Sequence, residues 1–187
     1  MDLNLKLFKL NEEGQFSITK PFESKQIITC MKNYIQVLSD KIITDTCSCM
    51  GGDTINFSRN FRVVNGIEIL LENFKLLEEN CKIFNCLNVN LFCQDYLEIF
   101  DILKQDIIYI DPKWGGRDYR LRDNISLKLG KFHIWELINM IKDKHLTKFI
   151  FIKAPLNVCL NNIDYDSIHV IYNKSQLPSF KLICIRL

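Results

Sequence analysis

A chain of 187 residues, 48% of them hydrophobic, is long enough for one substantial core and short for two. Its net charge of +2, from 24 basic against 22 acidic side chains, excludes a surface-wide field that would draw a polyanion to every face, so any nucleic-acid contact must be local. No apolar run approaches the ~18 residues of a membrane span and no signal-peptide pattern opens the chain, so a soluble intracellular protein is expected, nuclear, cytoplasmic or virus-encoded.

Residues 1–21 carry a turn signal at Asn11-Glu-Glu-Gly14 and read as an arm leading into a single domain over 22–187. From Phe22 to Leu38 the apolar residues Ile27, Ile28, Met31, Tyr34, Ile35 and Leu38 fall at helical spacing, which predicts one helix with a buried stripe. Lys41–Asp45 is a short apolar run ending on an acid, followed by a loop of small residues and a helix from about Thr54. The pattern repeats with a strand over Arg62–Glu68 and a helix through about Glu79. Further strands are predicted at Asn88–Phe92, Asp106–Ile110 and Lys148–Lys153, with an amphipathic helix over Ile134–Ile141. Ser167–Tyr172 and Lys181–Arg186 are joined by too few residues for a crossover helix, so this last pair should be antiparallel. The whole reads as α/β: a mostly parallel seven-stranded sheet with helices on both faces. Eight cysteines and three histidines lack paired zinc-ligand spacing, which predicts reduced, mostly buried thiols and no metal.

In such a sheet a ligand lies beyond the carboxyl ends of the strands. Four successive strand ends carry Asp45, Glu68, Asp95 and Asp111. One such acid is usually a helix cap; four in register suggest a site. Gly51-Gly52 and Gly115-Gly116 put four of the seven glycines in two of these loops, where backbone approaches a ligand closely. No Lys-Ser or Lys-Thr follows Gly52, so the first loop is not a phosphate cradle. Glu68 at the second strand end suits ribose hydroxyls, and Asp45, where a pyrophosphate would otherwise sit, suits an amine or sulfonium. Together these point to S-adenosylmethionine as the cofactor, with S-adenosylhomocysteine as its product. At the fourth strand end Asp111, Pro112 and Trp114 set hydrogen-bond acceptors beside a flat apolar surface, an arrangement suited to an exocyclic amine on a planar base; the alternative is a tight turn with a half-buried indole. Arg117, Arg120 and Arg122 are either a solvated surface run or a phosphate contact.

Asp45-x5-Gly-Gly-Asp-Thr-Ile-Asn-Phe57, Gly66-Ile-Glu68, Gln94-Asp95-Tyr-Leu97 and Asp111-Pro-Lys-Trp-Gly-Gly-Arg-Asp-Tyr119 resemble the successive motifs of the trimethylguanosine synthases, RNA cap guanine-N2 methyltransferases of the class I fold. The similarity runs over roughly residues 8–160 and includes Phe16-Ser-Ile-Thr19 and Ala154-Pro-Leu-Asn157. The resemblance implies that Asp45, Glu68 and Asp95 hold the methionine, ribose and adenine parts of the cofactor, with Gly51 and Asp111 beside it and Ser17 and Thr19 closing over it. It implies a catalytic group of Asp111, Pro112 and Trp114. It also implies a 7-methylguanosine-capped RNA substrate touched by Trp114, Arg117, Tyr119, Arg120 and Asn157, with no membrane partner and a monomeric enzyme. The chain departs from the family in four places: Cys49 stands for a glycine, Lys113 for a second proline, Asp111 for a frequent serine, and an extra Lys20 separates Thr19 from Pro21. Methylation of an internal RNA or DNA base, and a methyltransferase-like binding subunit without turnover, are the alternative readings.

Overall fold

The computed structural model describes residues 4–187, apart from the side chain of Arg117. The first three residues of the predicted arm lie outside it. The elements run α1 (Glu12–Ser17), α2 (Pro21–Lys32), β1 (Ile42–Asp45), α3 (Gly52–Ser58), β2 (Val63–Ile67), α4 (Leu71–Ile83), β3 (Val89–Phe92), α5 (Tyr96–Ile99) and β4 (Ile107–Ile110). A two-strand hairpin of β5 (Lys128–Leu129) and β6 (Phe132–His133) follows, then α6 (Ile134–Asp143), β7 (Phe149–Ala154), β8 (Ser167–Tyr172) and β9 (Pro178–Arg186). The main sheet has the order β3-β2-β1-β4-β7-β9-β8. β1, β2, β3, β4 and β7 are parallel, and β9 runs antiparallel between β7 and β8, as the short connection required.

The central strands are buried on both faces, so their side chains sort by parity. On β4, Ile108 and Ile110 pack with Ile134, Leu137 and Ile141 of α6, while Ile107 and Tyr109 pack on the other face with Ile27, Met31 and Phe57 of α2 and α3. On β7, Ile150 and Ile152 join the first group and Phe151 the second. One register step past these residues, Asp111 and Lys153 therefore inherit the parity of Tyr109 and Phe151 and turn toward α3.

The structure corrects several boundaries. The first long helix stops at Lys32 rather than Leu38: the Asn33 N–H turns back to the Cys30 carbonyl, and Ile35 and Leu38 are buried from a turn rather than a helix. α4 continues past Glu79 to Ile83. The predicted turn at Asn11–Gly14 opens a short helix, α1, within the arm, capped by the Asn11 side chain accepting from the Gly14 N–H. Of the eight unpaired cysteines only Cys81 and Cys184 are fully buried; five are half-buried and Cys93 is exposed. Among the described residues no helix is long and apolar enough to cross a membrane.

Polar hooks fasten the arm to the domain. Asn80, fully buried on α4, donates to the Lys9 and Met50 carbonyls at 2.9 Å each and accepts from the Lys9 N–H at 2.8 Å. Asn11 donates to Asn73, and Glu13 pairs with Lys113 at 2.9 Å. The arm thereby lies over the first glycine loop and reaches the loop after β4 through the exposed Glu13–Lys113 pair.

Candidate active site

The point where strand order reverses falls between β1 and β4, and the carboxylates of the site gather there on one face. Asp45 ends β1 and is 1% exposed. Its Oδ2 accepts from the Thr54 hydroxyl at 2.6 Å and its Oδ1 from the Cys47 N–H at 3.4 Å. Burial, with the neighbouring charges of Asp53 and Asp111, pushes its pKa up to about 7 against the Thr54 hydrogen bond.

Asp111, one residue past β4, is held through Oδ2 by the Lys153 ammonium at 2.7 Å. The lysine side chain is 5% exposed and the aspartate 22%. Burial raises the Asp111 pKa to about 6; Lys153 pulls it down and Asp53 pushes it up. Burial also works against the charge on Lys153, but Asp111 and Asp53 outweigh it and leave the lysine above its ordinary pKa. Asp53, one residue into α3, accepts at Oδ2 from Thr19 at 2.7 Å and from the Tyr109 phenol at 3.0 Å, and lies 3.8 Å from Lys153. Its other oxygen is buried without a partner. Two carboxylates thus face one ammonium, with Asp45 as a further acid beside them, and this excess of negative charge around an unmatched oxygen fits a ligand carrying a sulfonium and an amine.

Glu68, directly after β2, uses both oxygens to cap backbone: Oε2 accepts from the Cys49 N–H at 2.9 Å and Oε1 from the Leu70 N–H at 2.8 Å. Burial raises its pKa, while these two donors lower it. Asp95 caps α5 by accepting from the Leu97 N–H at 2.9 Å. Gly51 takes φ +95° at the head of α3, and the room left by the missing Cβ of Gly52 is filled by Ile18 and Thr19 of the arm. Cys49 itself has φ +48°, the left-handed conformation that explains a glycine at the corresponding family position.

The Trp loop is built differently. Trp114 is half-buried and packs edge-on against Tyr119 at 5.1 Å and obliquely on Phe180 at 6.4 Å, with Lys153 5.8 Å from its ring. Its indole N–H is buried without a partner. Asn157, expected at the substrate, donates to the Tyr119 and Arg122 carbonyls at 2.8 and 2.6 Å, which fixes the loop. Arg122 braces the turn by donating to the Gly115 carbonyl, and Arg120 lies over the Tyr119 ring at 5.5 Å while donating to its hydroxyl. The Arg117 side chain lies outside the described residues.

Of the predicted residues, the structure brings together Thr19, Asp45, Asp111, Pro112 and Trp114 and sets Gly51 and Glu68 beside the first loop. Asp95 stands farther along the sheet edge, and Ser17 is exposed, donating to the Glu13 carbonyl of its own helix. Sequence reasoning missed Asp53 and Lys153. A lysine at an inward position of the run Phe149-Ile-Phe-Ile-Lys153 was the available signal for the second; Asp53 resembles any acid in a first helical turn. Among the described residues no group of three or more His, Cys, Asp or Glu side chains is arranged to hold a metal ion.

Residues 40–183 match the family described as RNA cap guanine-N2 methyltransferase. An uncharacterized protein of Acanthamoeba polyphaga mimivirus is 29% identical over 155 residues, 81% of this chain and 57% of its own length. The chain thus spans little more than half of that curated relative. Among solved structures, an RNA methyltransferase from Salinibacter ruber in complex with S-adenosyl-L-homocysteine superposes with TM-score 0.59 at 14% identity, covering 87% of this chain and 90% of that one. A tRNA methyltransferase from Aquifex aeolicus gives TM-score 0.65 at 14% identity over 96% and 72%. These likenesses establish the class I methyltransferase fold, and the family match covers most of the chain: it belongs to the RNA cap guanine-N2 methyltransferase family.

Proposed function

We propose that the protein transfers methyl from S-adenosylmethionine to the exocyclic N2 amine of a 7-methylguanosine RNA cap. The observation that carries this reading is the juxtaposition of Asp111 and Trp114 at the end of β4 with the carboxylates Asp45 and Asp53 across the switch point. The cofactor supplies a methyl group activated by its sulfonium. Asp45 and Asp53 give that cation its negative surroundings, Thr19 sits against them, and Glu68 and Asp95 take the ribose and adenine end, with Gly51 in the loop between. Asp111 and the Pro112 carbonyl accept the N2 hydrogens, so that the amine lone pair faces the methyl carbon. Asp111, with a pKa near 6, is mostly ionised at neutral pH and can receive the proton that the amine loses. Little covalent chemistry is asked of the protein, because orientation and proximity supply most of the acceleration.

Trp114 fixes the plane of the base, and a 7-methylated guanine adds a cation–π contribution of about 0.5–2 kcal/mol. Tyr119, Arg117, Arg120 and Asn157 complete this side, the last by holding the loop in shape. The reading includes a short arm on a single domain, a soluble monomeric enzyme and no metal. Labelled S-adenosylmethionine offered in parallel with GTP, 7-methyl-GTP, capped RNA and uncapped RNA tests it. Label at N2 of the 7-methylated substrates alone is expected. Label in uncapped RNA would move the assignment to an internal base, and cofactor binding without transfer to any of them would make the protein a binding subunit.

A further inference from the structure

Lysine is almost never buried this deeply unless it is paired, and Lys153 is paired in a particular way. Its ammonium donates to Asp111 Oδ2 at 2.7 Å and to the Thr19 hydroxyl at 2.7 Å, and lies 3.8 Å from Asp53. Beyond these, the Phe180 ring lies at 5.0 Å and Trp114 at 5.8 Å, and the Glu23 carboxylate adds a further negative charge nearby. It therefore joins four pieces of chain that the proposed reaction uses: the arm, α3, the end of β4 and the Trp loop. A buried ion pair is a weak source of stability, since apolar residues of like volume often serve as well or better. The position of this one, at the strand end where a carboxylate remains partly exposed, points to what it does for that carboxylate.

We propose that Lys153 is a positioning residue for methyl transfer: it holds the Asp111 carboxylate charged and fixed through Oδ2, and by gripping Thr19 ties the seating of the arm to that same carboxylate. The proposal rests on the methyl-transfer reading above and deepens it. With Oδ2 engaged by the ammonium, Oδ1 is the oxygen that receives an acceptor amine. The titratable groups around Asp111 are Lys153 from β7, Asp53 from α3, Asp45 at the end of β1, the Cys47 thiol in the loop after it and, behind Asp53, the Tyr109 phenol on β4. All but the lysine are acidic, so without Lys153 nothing in this set opposes protonation of Asp111. A protonated acid loses an acceptor position at the oxygen that carries the proton.

The test is the pH profile of methyl transfer to 7-methyl-GTP, at S-adenosylmethionine saturating at every pH, by the wild type, Lys153→Met and the double variant Asp111→Asn/Lys153→Met. The wild type should lose rate as pH falls through about 6. In Lys153→Met this acid limb should move up by about one pH unit or more, the scale of an adjacent opposite charge, and most of the lost rate should return at high pH. In the double variant the limb should disappear, and its rate should stay below that of the wild type, because an amide at position 111 cannot take up the proton that the amine loses. A limb that stays in place in a folded Lys153→Met protein overturns the proposal. If that variant does not fold, the double variant, which removes both charges together, decides: a persisting limb near the same pH overturns it. A carboxyl-carbon NMR titration of Asp111 in wild type and Lys153→Met reads the same role without turnover. A wild type that binds S-adenosylmethionine but methylates no guanine defeats the proposed function and leaves this titration to decide the role of Lys153, an unmoved Asp111 titration overturning it.

Discussion

The first loop, between β1 and α3, and the Trp loop, after β4, carry the same ingredients and solve opposite problems. Both begin on an aspartate, both contain paired glycines, and both lie at the carboxyl edge of the sheet. The first is sealed: Asp45 is 1% exposed, Glu68 caps its backbone, and arm side chains fill the space beside Gly52. The second is open: a Cβ on Gly116 would meet nothing within 4 Å, Lys113 and Arg120 are exposed, and the loop keeps its shape through Asn157 and Arg122 from outside. A loop sealed by its own protein suits a ligand that is always the same, such as a cofactor. One held only at its edges suits a substrate with a long polymer attached. Lys153 stands between the two and touches the arm on one side and the Trp loop's aspartate on the other.

Removing that junction should give the largest effect. Lys153→Ala leaves Asp111 and Asp53 buried without their cation and should cost about 3–5 kcal/mol of stability, read by urea denaturation at pH 8. A cost below ~1 kcal/mol, the scale of an exposed pair, would show that solvent already screens the cluster and that the two sides are not joined there. Next, Glu68→Ala should weaken S-adenosylhomocysteine by roughly tenfold to a hundredfold, the scale of a lost hydrogen bond to a charged acceptor, while 7-methyl-GTP binding changes little. Calorimetry with each ligand checks this, and parallel losses would erase the distinction between the loops.

Trp114→Ala is the converse. Loss of stacking of about 1–3 kcal/mol should fall on 7-methyl-GTP and leave cofactor affinity nearly unchanged, with Trp114→Phe retaining part of the binding. Because Trp114 also packs on Tyr119 and Phe180, some thermal stability will go with it; a fall in cofactor affinity of the same size would make it a core residue only.

A separate effect comes from pH. The Asp45 pKa is raised from 3.8 to about 7, so folding takes up a proton across that window, and the ionised carboxylate makes the free protein less stable as pH rises from about 4 to 7. A cation bound beside it reverses the sign. S-adenosylmethionine affinity should therefore rise with pH, by at most about tenfold per unit below 7, and level off above it; titration in buffers of different ionisation enthalpy would reveal the released proton. The smallest change should come from Cys49→Gly. Relief of a left-handed non-glycine residue, less the entropy that glycine adds to the unfolded chain, should stabilise by about 0.5–1 kcal/mol, seen as a higher midpoint of unfolding.

Most of the fold was legible because its strands are short, apolar and buried, and their ends carry acids. The runs ending at Asp45, Glu68 and Asp111 read as strands without knowledge of their neighbours. What was not legible depends on which strands are neighbours. Lys153 meets Asp111 only because β4 and β7 pair with Ile110 opposite Ile152, and no pattern within either segment encodes that register. Asp53 lies within the motif that ends at Phe57, but nothing in that segment says that its carboxylate meets Tyr109 and Lys153 from other strands. The end of α2 was misread because Tyr34, Ile35 and Leu38 keep helical spacing while a turn buries the last two. Asn157, expected at the substrate, hydrogen-bonds to the loop backbone, which only coordinates reveal.

The central claim is that the sealed loop holds the cofactor and the open loop holds a guanine whose N2 faces Asp111. A crystal structure with S-adenosylhomocysteine and 7-methyl-GTP bound together tests it most directly. The account predicts the adenosine between Glu68 and Asp95, the base stacked on Trp114, and N2 within hydrogen-bond reach of Asp111 with the cofactor sulfur in line beyond it. A base bound away from Trp114, or one whose N2 points away from the sulfur, would contradict it.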